Sequence, residues 1–498
     1  MEVLENYTIR SYGFSINVSI AGVKGRALNY RLNIPEFSEV TLAFLDSIKT
    51  KAVTQISLTA SEILSNESIG GIKERFHDEV SQLLMNDLPN IDESTKNVLI
   101  GRLMNDIVGL GDIEFLLLDD GLEEIVINSS SEPIRVYHKR YGWLTTNVSI
   151  EKESQINNYA EIIARRVGRQ ITSLEPLLDA HLSTGDRANA VLYPISNKGN
   201  TITIRKFARD PWTVTDLIKN KTCTSNIFAL IWLAIQYEMS IIISGGTASG
   251  KTSFLNVVSI FMPPFHRVLT IEDTRELQLS STLYWCPLIT RLPNPEGKGE
   301  VSMLDLLVNS LRMRPDRIVL GEIRKQREAE VLFEAMHTGH SVYATLHANS
   351  IGETISRLTN PPINVPTNLL NAVDMNIVMF RDRRTGIRRV FQIGEFLVED
   401  KESESAVRTN ILYRWKPSSD EIVSHNPSQK LFEELSRNTG MSQQEINKDV
   451  GEKKKILDFL VKNNVRSIEN IGKIMSMFYN DKEKLMAGVK KNSLEGLI

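Results

Sequence analysis

The amino-acid sequence predicts an α/β fold in which a mostly parallel sheet carries helices on both faces. Between Trp212 and Leu397, strand-like apolar runs alternate with helical patterns, as is typical of such sheets. One of these runs, Ile241 to Ser244, leads directly into a complete phosphate-loop motif. Shorter strands and helices precede this core, and helical patterns dominate after it. We therefore expect a phosphate-loop α/β core with an α+β domain before it and helical appendages.

Residues 1–91 are interpreted as an accessory segment. Alternating apolar residues in Phe14–Ile20 and Leu28–Ile34, with glycines between the two runs, predict a β-hairpin. Pro35 closes this hairpin, and helical patterns follow it, the first extending broadly from Ser38 to Ser65. Nothing in the segment suggests chemistry, and a packing role and a docking role are both compatible with it.

Residues 92–207 predict a small α+β domain in which helices pack against an antiparallel sheet. Arg187 and Arg205 lie in or beside its last predicted strands. A solvated side chain or a local ion pair is the simpler explanation for each arginine, and contact with a nucleotide is the functional one. Residues 208–213 contain a proline and small polar residues, which predicts a linker to the core domain at residues 214–400.

The phosphate-loop motif reads Gly-Gly-Thr-Ala-Ser-Gly-Lys-Thr and matches G-x-x-x-x-G-K-[ST] in full. Its glycines allow backbone conformations that a Cβ would block, and the following helix aims backbone N–H groups at an anion. Lys251 can reach the β- and γ-phosphates of ATP, and the Thr252 hydroxyl can bind Mg²⁺. The alternative is a glycine-rich turn without a ligand, but a complete motif favours a nucleotide site. The expected nucleotide-binding residues are Gly245, Gly246, Thr247, Ala248, Ser249, Gly250, Lys251 and Thr252.

Three polar side chains follow the carboxyl ends of later predicted strands: Glu272, Glu322 and His347. Ligands of parallel α/β sheets collect at this edge, so we expect these side chains to face one site. A carboxylate there can hold Mg²⁺, as we expect of Glu322, and another can orient the attacking water, as we expect of Glu272. Taken singly, a carboxylate could be a favourable helix N-terminal charge and His347 a structural histidine. Because all three residues follow an intact phosphate loop in this order, we favour a functional role for them.

Residues 401–498, after the core, are expected to be mainly helical. Before them, Asn376–Arg381 and Ile387–Phe396 predict a hairpin around the basic turn Asp382–Gly386. We interpret this turn as a solvated charged loop, with lipid headgroups or an acidic partner as the alternative ligands. Lys453–Lys455 predict a solvated helix face rather than a nucleic-acid site.

Composition excludes several classes of partner. The formal net charge of -3 argues against a strongly basic surface, so we expect no nucleic-acid partner. The 2 cysteines, Cys223 and Cys286, are too few for a disulfide framework or a four-cysteine zinc site, so we expect no zinc and a reducing compartment. The first residues do not resemble a signal peptide, and no run approaches the ~20 apolar residues that span a bilayer. We expect a cytoplasmic location with peripheral membrane contact.

Four stretches of the core together resemble the type II/type IV secretion and pilus-assembly ATPase family. They correspond in type and order to the Walker A motif, Asp box, Walker B motif and His box of that family, and they are Gly245–Thr252, Thr270–Glu276, Arg314–Arg324 and Thr338–Asn349. Upstream residues also resemble the family's N-terminal domain, namely Pro176–Ala180, Arg187–Val191 and Ile204–Phe207. The likeness extends over roughly residues 95–400.

The resemblance implies a RecA-like ATPase core with a PAS-like α+β N-terminal domain, assembled as a homohexamer. It implies that Glu322 is the Walker B carboxylate, that Glu272 polarises the attacking water and that His347 is a sensor. Arg187 and Arg205 would reach the nucleotide.

The sequence departs from the family pattern in two places. One departure is Thr184-Gly-Asp-Arg187 in place of the usual Asp-Gly-Ser-Arg turn, and another is the missing four-cysteine module. The second departure points away from the typical bacterial general-secretion branch and towards archaeal pilus, archaellum or tight-adherence relatives.

The function that the resemblance implies is Mg²⁺-dependent ATP hydrolysis. It would power assembly of a type IV pilus-like filament, or type II/IV secretion, from the cytoplasmic face of the membrane, with a polytopic membrane platform protein as partner. A DNA-translocating RecA-like motor is one alternative, which would need a basic channel. A nucleotide-gated scaffold without turnover is the other.

Overall fold

A computed structural model describes residues 2–11, 14–22, 28–35, 37–56, 68–107, 109–182, 184–207, 210–294, 296–399 and 406–498. The chain forms two compact units, the first containing residues 1–210 and the second containing residues 211–293 and 299–498. Parts of three predicted segments lie outside the described residues: the helix beyond Ile56, linker residues 208 and 209, and residues 400–405.

The first unit is built on a nine-stranded sheet with the order β1-β2-β3-β6-β5-β4-β9-β8-β7. Its strands are β1 (Glu2–Ser11), β2 (Phe14–Gly22), β3 (Leu28–Asn33), β4 (Leu122–Ile127), β5 (Arg135–His138), β6 (Gly142–Thr146), β7 (Leu177–His181), β8 (Arg187–Val191) and β9 (Thr201–Arg205). The predicted β2–β3 hairpin is confirmed, and the sheet is antiparallel except where β3 pairs in parallel with β6. Through this pairing, strands of the accessory segment extend the sheet of residues 92–207 within one unit.

Five helices of the first unit are described: α1 (Glu39–Gln55), α2 (Ser68–Asp87), α3 (Glu93–Ile107), α4 (Ile113–Leu118) and α5 (Glu153–Arg166). Helix α1 begins where the Ser38 hydroxyl accepts from the Thr41 N–H, as a favourable N-cap does. Helices α1, α2 and α3 share an apolar cluster of their own that includes Ile48, Val80 and Leu103. The PAS-like classification of residues 92–207 stays a prediction.

The second unit contains the predicted α/β core. Its nine-stranded sheet has the order β12-β11-β13-β14-β10-β15-β16-β17-β18. The strands are β10 (Ile241–Gly245), β11 (Arg267–Glu272), β12 (Tyr284–Ile289), β13 (Arg317–Leu320), β14 (Ser341–Leu346), β15 (Met375–Arg381), β16 (Arg388–Glu399), β17 (Ala406–Lys416) and β18 (Glu421–Ser424). Six neighbouring strands pair in parallel, in the order β12, β11, β13, β14, β10 and β15, which confirms the predicted α/β fold. The predicted β15–β16 hairpin is also confirmed.

Helices of the second unit cover both faces of the sheet. They are α6 (Val214–Lys219), α7 (Ser225–Gln236), α8 (Lys251–Ser259), α9 (Met303–Ser310), α10 (Gln326–His337), α11 (Ile351–Thr359), α12 (Leu431–Thr439), α13 (Gln443–Lys462), α14 (Ile468–Asn480) and α15 (Lys482–Lys491), with short 3₁₀ turns at Leu311–Met313 and Thr367–Ala372. Strand β10 shows the two faces directly: Ile241 and Ile243 belong to one apolar cluster and Ile242 to the other. None of the described helices has the length and apolar character needed to cross a bilayer.

The predicted solvated face Lys453–Lys455 is wrong at Lys453. This side chain is fully buried on α13, while Lys454 and Lys455 are exposed. The Lys453 Nζ contacts the Asp449 carboxylate and lies 4.9 Å from the ring centroid of Phe478. Burial lowers the pKa of Lys453 to about 8. A lysine can be buried here because a carboxylate and an aromatic face both meet its ammonium group.

Candidate functional site

The phosphate loop joins β10 to α8 in a conformation that its glycines permit. A Cβ at Gly245 would lie 2.4 Å from the Ser249 Oγ and 2.7 Å from the Met379 carbonyl oxygen, so only glycine fits there. Gly250 has φ of 92° and Ala248 has φ of 59°, both in the left-handed region. The loop is therefore held in a tight turn that leads straight into the first residue of α8, Lys251.

Lys251 lies against the loop that precedes it. Its side chain is largely buried, and its Nζ donates to the Gly246 carbonyl oxygen at 3.1 Å. On another side, the Nζ lies 3.4 Å from the Nδ1 of His347. Burial lowers the pKa of Lys251, while the charges of Glu322 and Glu276 act in the opposite direction. The ammonium group is thus poised at the mouth of the loop, where an anion could replace its present contacts.

His347 links Lys251 to Glu322. Its Nε2 lies 3.2 Å from the Oε1 of Glu322, at the other side of the ring from Lys251. Burial first, and then the charge of Lys251, lower the pKa of His347. The imidazole therefore lies between the Lys251 ammonium group and the Glu322 carboxylate, with Nδ1 facing the first and Nε2 facing the second. The structure therefore brings together three of the residues that the sequence predicts for the site.

Arg324 and Asp273 extend this network, although neither received a role from the sequence. Arg324 holds the Oε2 of Glu322 through Nε at 2.9 Å and Nη2 at 2.7 Å, and its Nη1 contacts the Asp273 carboxylate. Both residues lie within the motif stretches that the sequence singles out, next to the predicted carboxylates. Their position in those stretches is the signal that could have identified them. Glu322 is thus oriented on one oxygen by a histidine and on the other by an arginine.

Glu272 ends β11 and is almost fully buried. Its Oε1 accepts backbone hydrogen bonds from Glu276 at 2.9 Å and Leu277 at 3.0 Å. Its Oε2 is buried and has no hydrogen-bond partner among the residues that the structure describes. Burial raises the pKa of Glu272 to about 7. A carboxylate fixed on one oxygen, with the other unpaired and a pKa near neutrality, has the properties of a general base.

Arg388 contacts the phosphate loop and was not predicted as a site residue. Its Nε donates to the Ala248 carbonyl oxygen at 3.2 Å, and its Cδ would lie 3.4 Å from a Cβ at Gly250. The sequence placed it only next to the basic turn Asp382–Gly386. Strand β16 brings it to the loop from 140 residues away, so no local pattern signals this contact.

Arg187 and Arg205, predicted to reach the nucleotide, lie in the first unit. The structure brings them together as register partners on β8 and β9. Arg187 forms a forked ion pair with Asp179, through Nε at 2.9 Å and Nη2 at 2.6 Å. Arg205 is exposed and lies opposite Glu124 on β4. Their contribution to a nucleotide site stays a prediction.

A family model for type II/IV secretion system proteins matches residues 111–409, which include the last strands of the first unit and the whole motif set of the second. The chain belongs to the type II/IV secretion system protein family. The matched residues include the parallel α/β sheet that the sequence predicts.

Several relatives of this family member are similar over long stretches. An uncharacterised protein of Methanocaldococcus jannaschii is 33% identical over 421 residues, which is 83% of this chain and 75% of that protein. The type IV secretion system protein PtlH of Bordetella pertussis is 32% identical over 245 residues, which is 45% of this chain and 72% of PtlH. Among solved structures, the ATPase DotB of Legionella pneumophila is 17% identical, with a TM-score of 0.42, over 76% of this chain and 94% of that one.

Proposed function

We propose that this family member binds ATP at the phosphate loop and hydrolyses it. The observation that carries the proposal is the continuous contact from Lys251 through His347 to Glu322, at the carboxyl edge of the parallel sheet. Lys251 is placed to exchange its contacts with Gly246 and His347 for the phosphates of ATP. Glu272, with one unpaired oxygen, would orient the attacking water and accept its proton.

Mg²⁺ is the metal that this family implies, and the residues present fit it. The donor set is a hydroxyl, from Thr252 in the first turn of α8, and a carboxylate, from Glu322. Oxygen ligands of this kind, few in number and completed by water and phosphate, are those that Mg²⁺ prefers. When bound, the ion would neutralise charge on the β- and γ-phosphate oxygens.

The assembly that we propose is a homohexamer in which Arg187 and Arg205 complete the site. Both arginines are carried by a unit other than the one with the phosphate loop, so domain closure or a neighbouring subunit would have to supply them. An arginine placed on developing phosphate charge contributes about 10³ to 10⁵ in rate in other nucleotide hydrolases. Of the two, Arg205 is exposed, whereas Arg187 would have to be shared with Asp179.

The cellular role that we propose is to power a pilus-like filament or a secretion machine from the cytoplasmic face of a membrane. Support comes from the family and from relatives such as PtlH, which is a type IV secretion system protein. The large share covered by the Methanocaldococcus jannaschii relative favours an archaeal branch of the family. A polytopic membrane protein would serve as the platform on which the ring docks.

The proposal is tested by measuring phosphate release from saturating Mg·ATP with the full chain. Turnover in the absence of nucleic acid supports the proposed ATPase, and its absence would favour a nucleotide-gated scaffold. The same assay with double-stranded DNA at two salt concentrations tests the alternative DNA motor. Steeply salt-dependent stimulation by DNA would favour that motor.

A further inference from the structure

The segment Glu276–Thr282, which leads from β11 towards β12, determines how Glu272 is held. Its first two backbone N–H groups, those of Glu276 and Leu277, bind the Oε1 of Glu272. These two hydrogen bonds set the orientation of the carboxylate, and so they also set the direction of its unpaired Oε2. Any group that fixes the segment therefore also fixes the carboxylate.

Helix α8 anchors the segment from the side of the phosphate loop. The Asn256 side chain is buried on this helix, one turn after Thr252. Its Oδ1 accepts from the backbone N–H of Gln278 at 2.8 Å. The helix that begins with Lys251 is thus tied to the residue that directly follows Leu277.

Helix α14, in the C-terminal region, anchors the same segment from another side. The carboxylate of Glu469, in the first turn of this helix, accepts from the Ser280 hydroxyl at 3.0 Å. It also accepts from the Ser281 backbone N–H at 3.1 Å and from the Ser281 hydroxyl. Burial acts to raise the pKa of Glu469, but hydrogen bonds from Ser281 and Ser280 lower it, which keeps the acceptor ionised.

The same helix approaches the segment closely at a second point. A Cβ at Gly472 would lie 2.1 Å from the Ser280 Oγ and 2.8 Å from the Thr282 Oγ1, so a larger residue would push the segment away. At its far end, α14 carries Tyr479, whose hydroxyl donates to the Phe261 carbonyl oxygen at 2.6 Å. Helix α14 therefore bridges the region after α8 and the segment that holds Glu272.

We propose that Glu469 is a positioning residue for Glu272, through which the C-terminal helices set the rate of hydrolysis. The inference rests on the proposed function. Glu469 fixes Ser280 and Ser281, these residues fix the N–H groups of the segment, and those groups orient Glu272. A displacement of α14 would shift Ser280 and Ser281 and thereby misdirect the base. The C-terminal region would then be a control element for the motor.

The experiment compares steady-state hydrolysis by the full chain with Glu469→Ala, Glu469→Gln and Gly472→Ala. Glu469→Ala is expected to lower kcat about tenfold, equivalent to ~1.4 kcal/mol in barrier height, with KM and ATP affinity unchanged. Glu469→Gln keeps one acceptor oxygen and should recover part of the loss. Gly472→Ala should lower kcat by displacing Ser280. The matched control is Glu483→Ala, an exposed glutamate in the first turn of α15.

The second arm places Glu469→Ala in a Glu272→Gln background. If Glu469 acts through Glu272, the double variant hydrolyses ATP no more slowly than Glu272→Gln alone. A further tenfold loss in the double variant would overturn the inference, as would unchanged kcat in both Glu469→Ala and Gly472→Ala. In those cases the proposed function still stands, provided that the wild type turns over and Glu272→Gln is at least about 10²-fold slower. A wild type without turnover removes the proposed function as well.

Discussion

The Nε2 of His347 lies 3.2 Å from the Oε1 of Glu322. Its other ring nitrogen faces Lys251, so one imidazole spans the residue proposed to bind phosphate and the residue proposed to bind Mg²⁺. Burial and the charge of Lys251 lower the pKa of the ring, while the charge of Glu322 acts to raise it. A change at the phosphate side would therefore reach the carboxylate through a single side chain.

Replacing His347 by alanine should remove the contact between Lys251 and Glu322 that the imidazole provides. We expect kcat to fall at least about tenfold, a barrier increase of ~1.4 kcal/mol, because Glu322 loses one of the contacts that orient it. Affinity for ATP should change little, because the loop and Lys251 remain. Steady-state hydrolysis and nucleotide titration measure the two effects separately. His337→Ala, at the exposed end of α10, is the control, and a wild-type rate in His347→Ala would contradict the proposed link.

The activity of this site should depend on pH through Glu272. Burial raises its pKa to about 7, although the backbone hydrogen bonds from Glu276 and Leu277 act to lower it. The base must be deprotonated to accept a proton, so kcat should rise as the pH increases through 7 and level off above 8. Measuring kcat from pH 5.5 to 9 tests for this rising limb of the pH profile. In Glu272→Gln the residual rate should lose the limb, and an unchanged profile would exclude Glu272 as its source.

Arg388 should support nucleotide binding by bracing the phosphate loop. Its hydrogen bond to the Ala248 carbonyl oxygen restrains a residue with positive φ. Arg388→Ala should weaken ATP binding about tenfold, or ~1.4 kcal/mol, as the loop loses this restraint. Isothermal titration with Mg·ATP provides the measurement. Arg383→Ala, an exposed arginine of the basic turn, is the matched control, and equal affinities in the two variants would contradict the assignment.

Two aspartates of α13 offer a matched test of the buried lysine. Asp449 pairs with fully buried Lys453, and Asp458 pairs with exposed Lys454, both at i,i+4 spacing. Asp449→Ala leaves a buried charge without its carboxylate and should destabilise the fold by about 3 kcal/mol. Asp458→Ala should change stability by less than about 0.5 kcal/mol. Thermal melting measures the difference, and equal melting temperatures would contradict the burial of Lys453.

The sequence predicts the central strands of the second unit, such as β10, β13 and β14, because they are buried on both faces. Such strands appear as continuous apolar runs, and Ile241–Ser244 is the clearest of them. Strand β12 was not predicted because it lies at the sheet edge, contains Pro287 and has no fully buried residue. Polar motif residues could be placed at one edge of the sheet because the carboxyl ends of parallel strands lie together.

Contacts between distant parts of the chain could not be predicted in the same way. Arg388 reaches Ala248 across 140 residues, and Glu469 reaches Ser281 across 188. Lys453 lies in a run of three lysines that looks solvated, and only the packing of α13 against Trp232 and Phe478 reveals its burial. In each case the decisive partner belongs to another element, so the local pattern carries no signal.

In the proposed site, Lys251 binds the nucleotide, whereas Glu272 acts only on water. The most direct test measures ATP affinity and hydrolysis together in the full chain, in Lys251→Ala and in Glu272→Gln. We expect Lys251→Ala to lose affinity and turnover together, and Glu272→Gln to bind ATP like the wild type while losing at least about 10² in kcat. Wild-type hydrolysis by Glu272→Gln, or undiminished ATP binding by Lys251→Ala, would contradict this account.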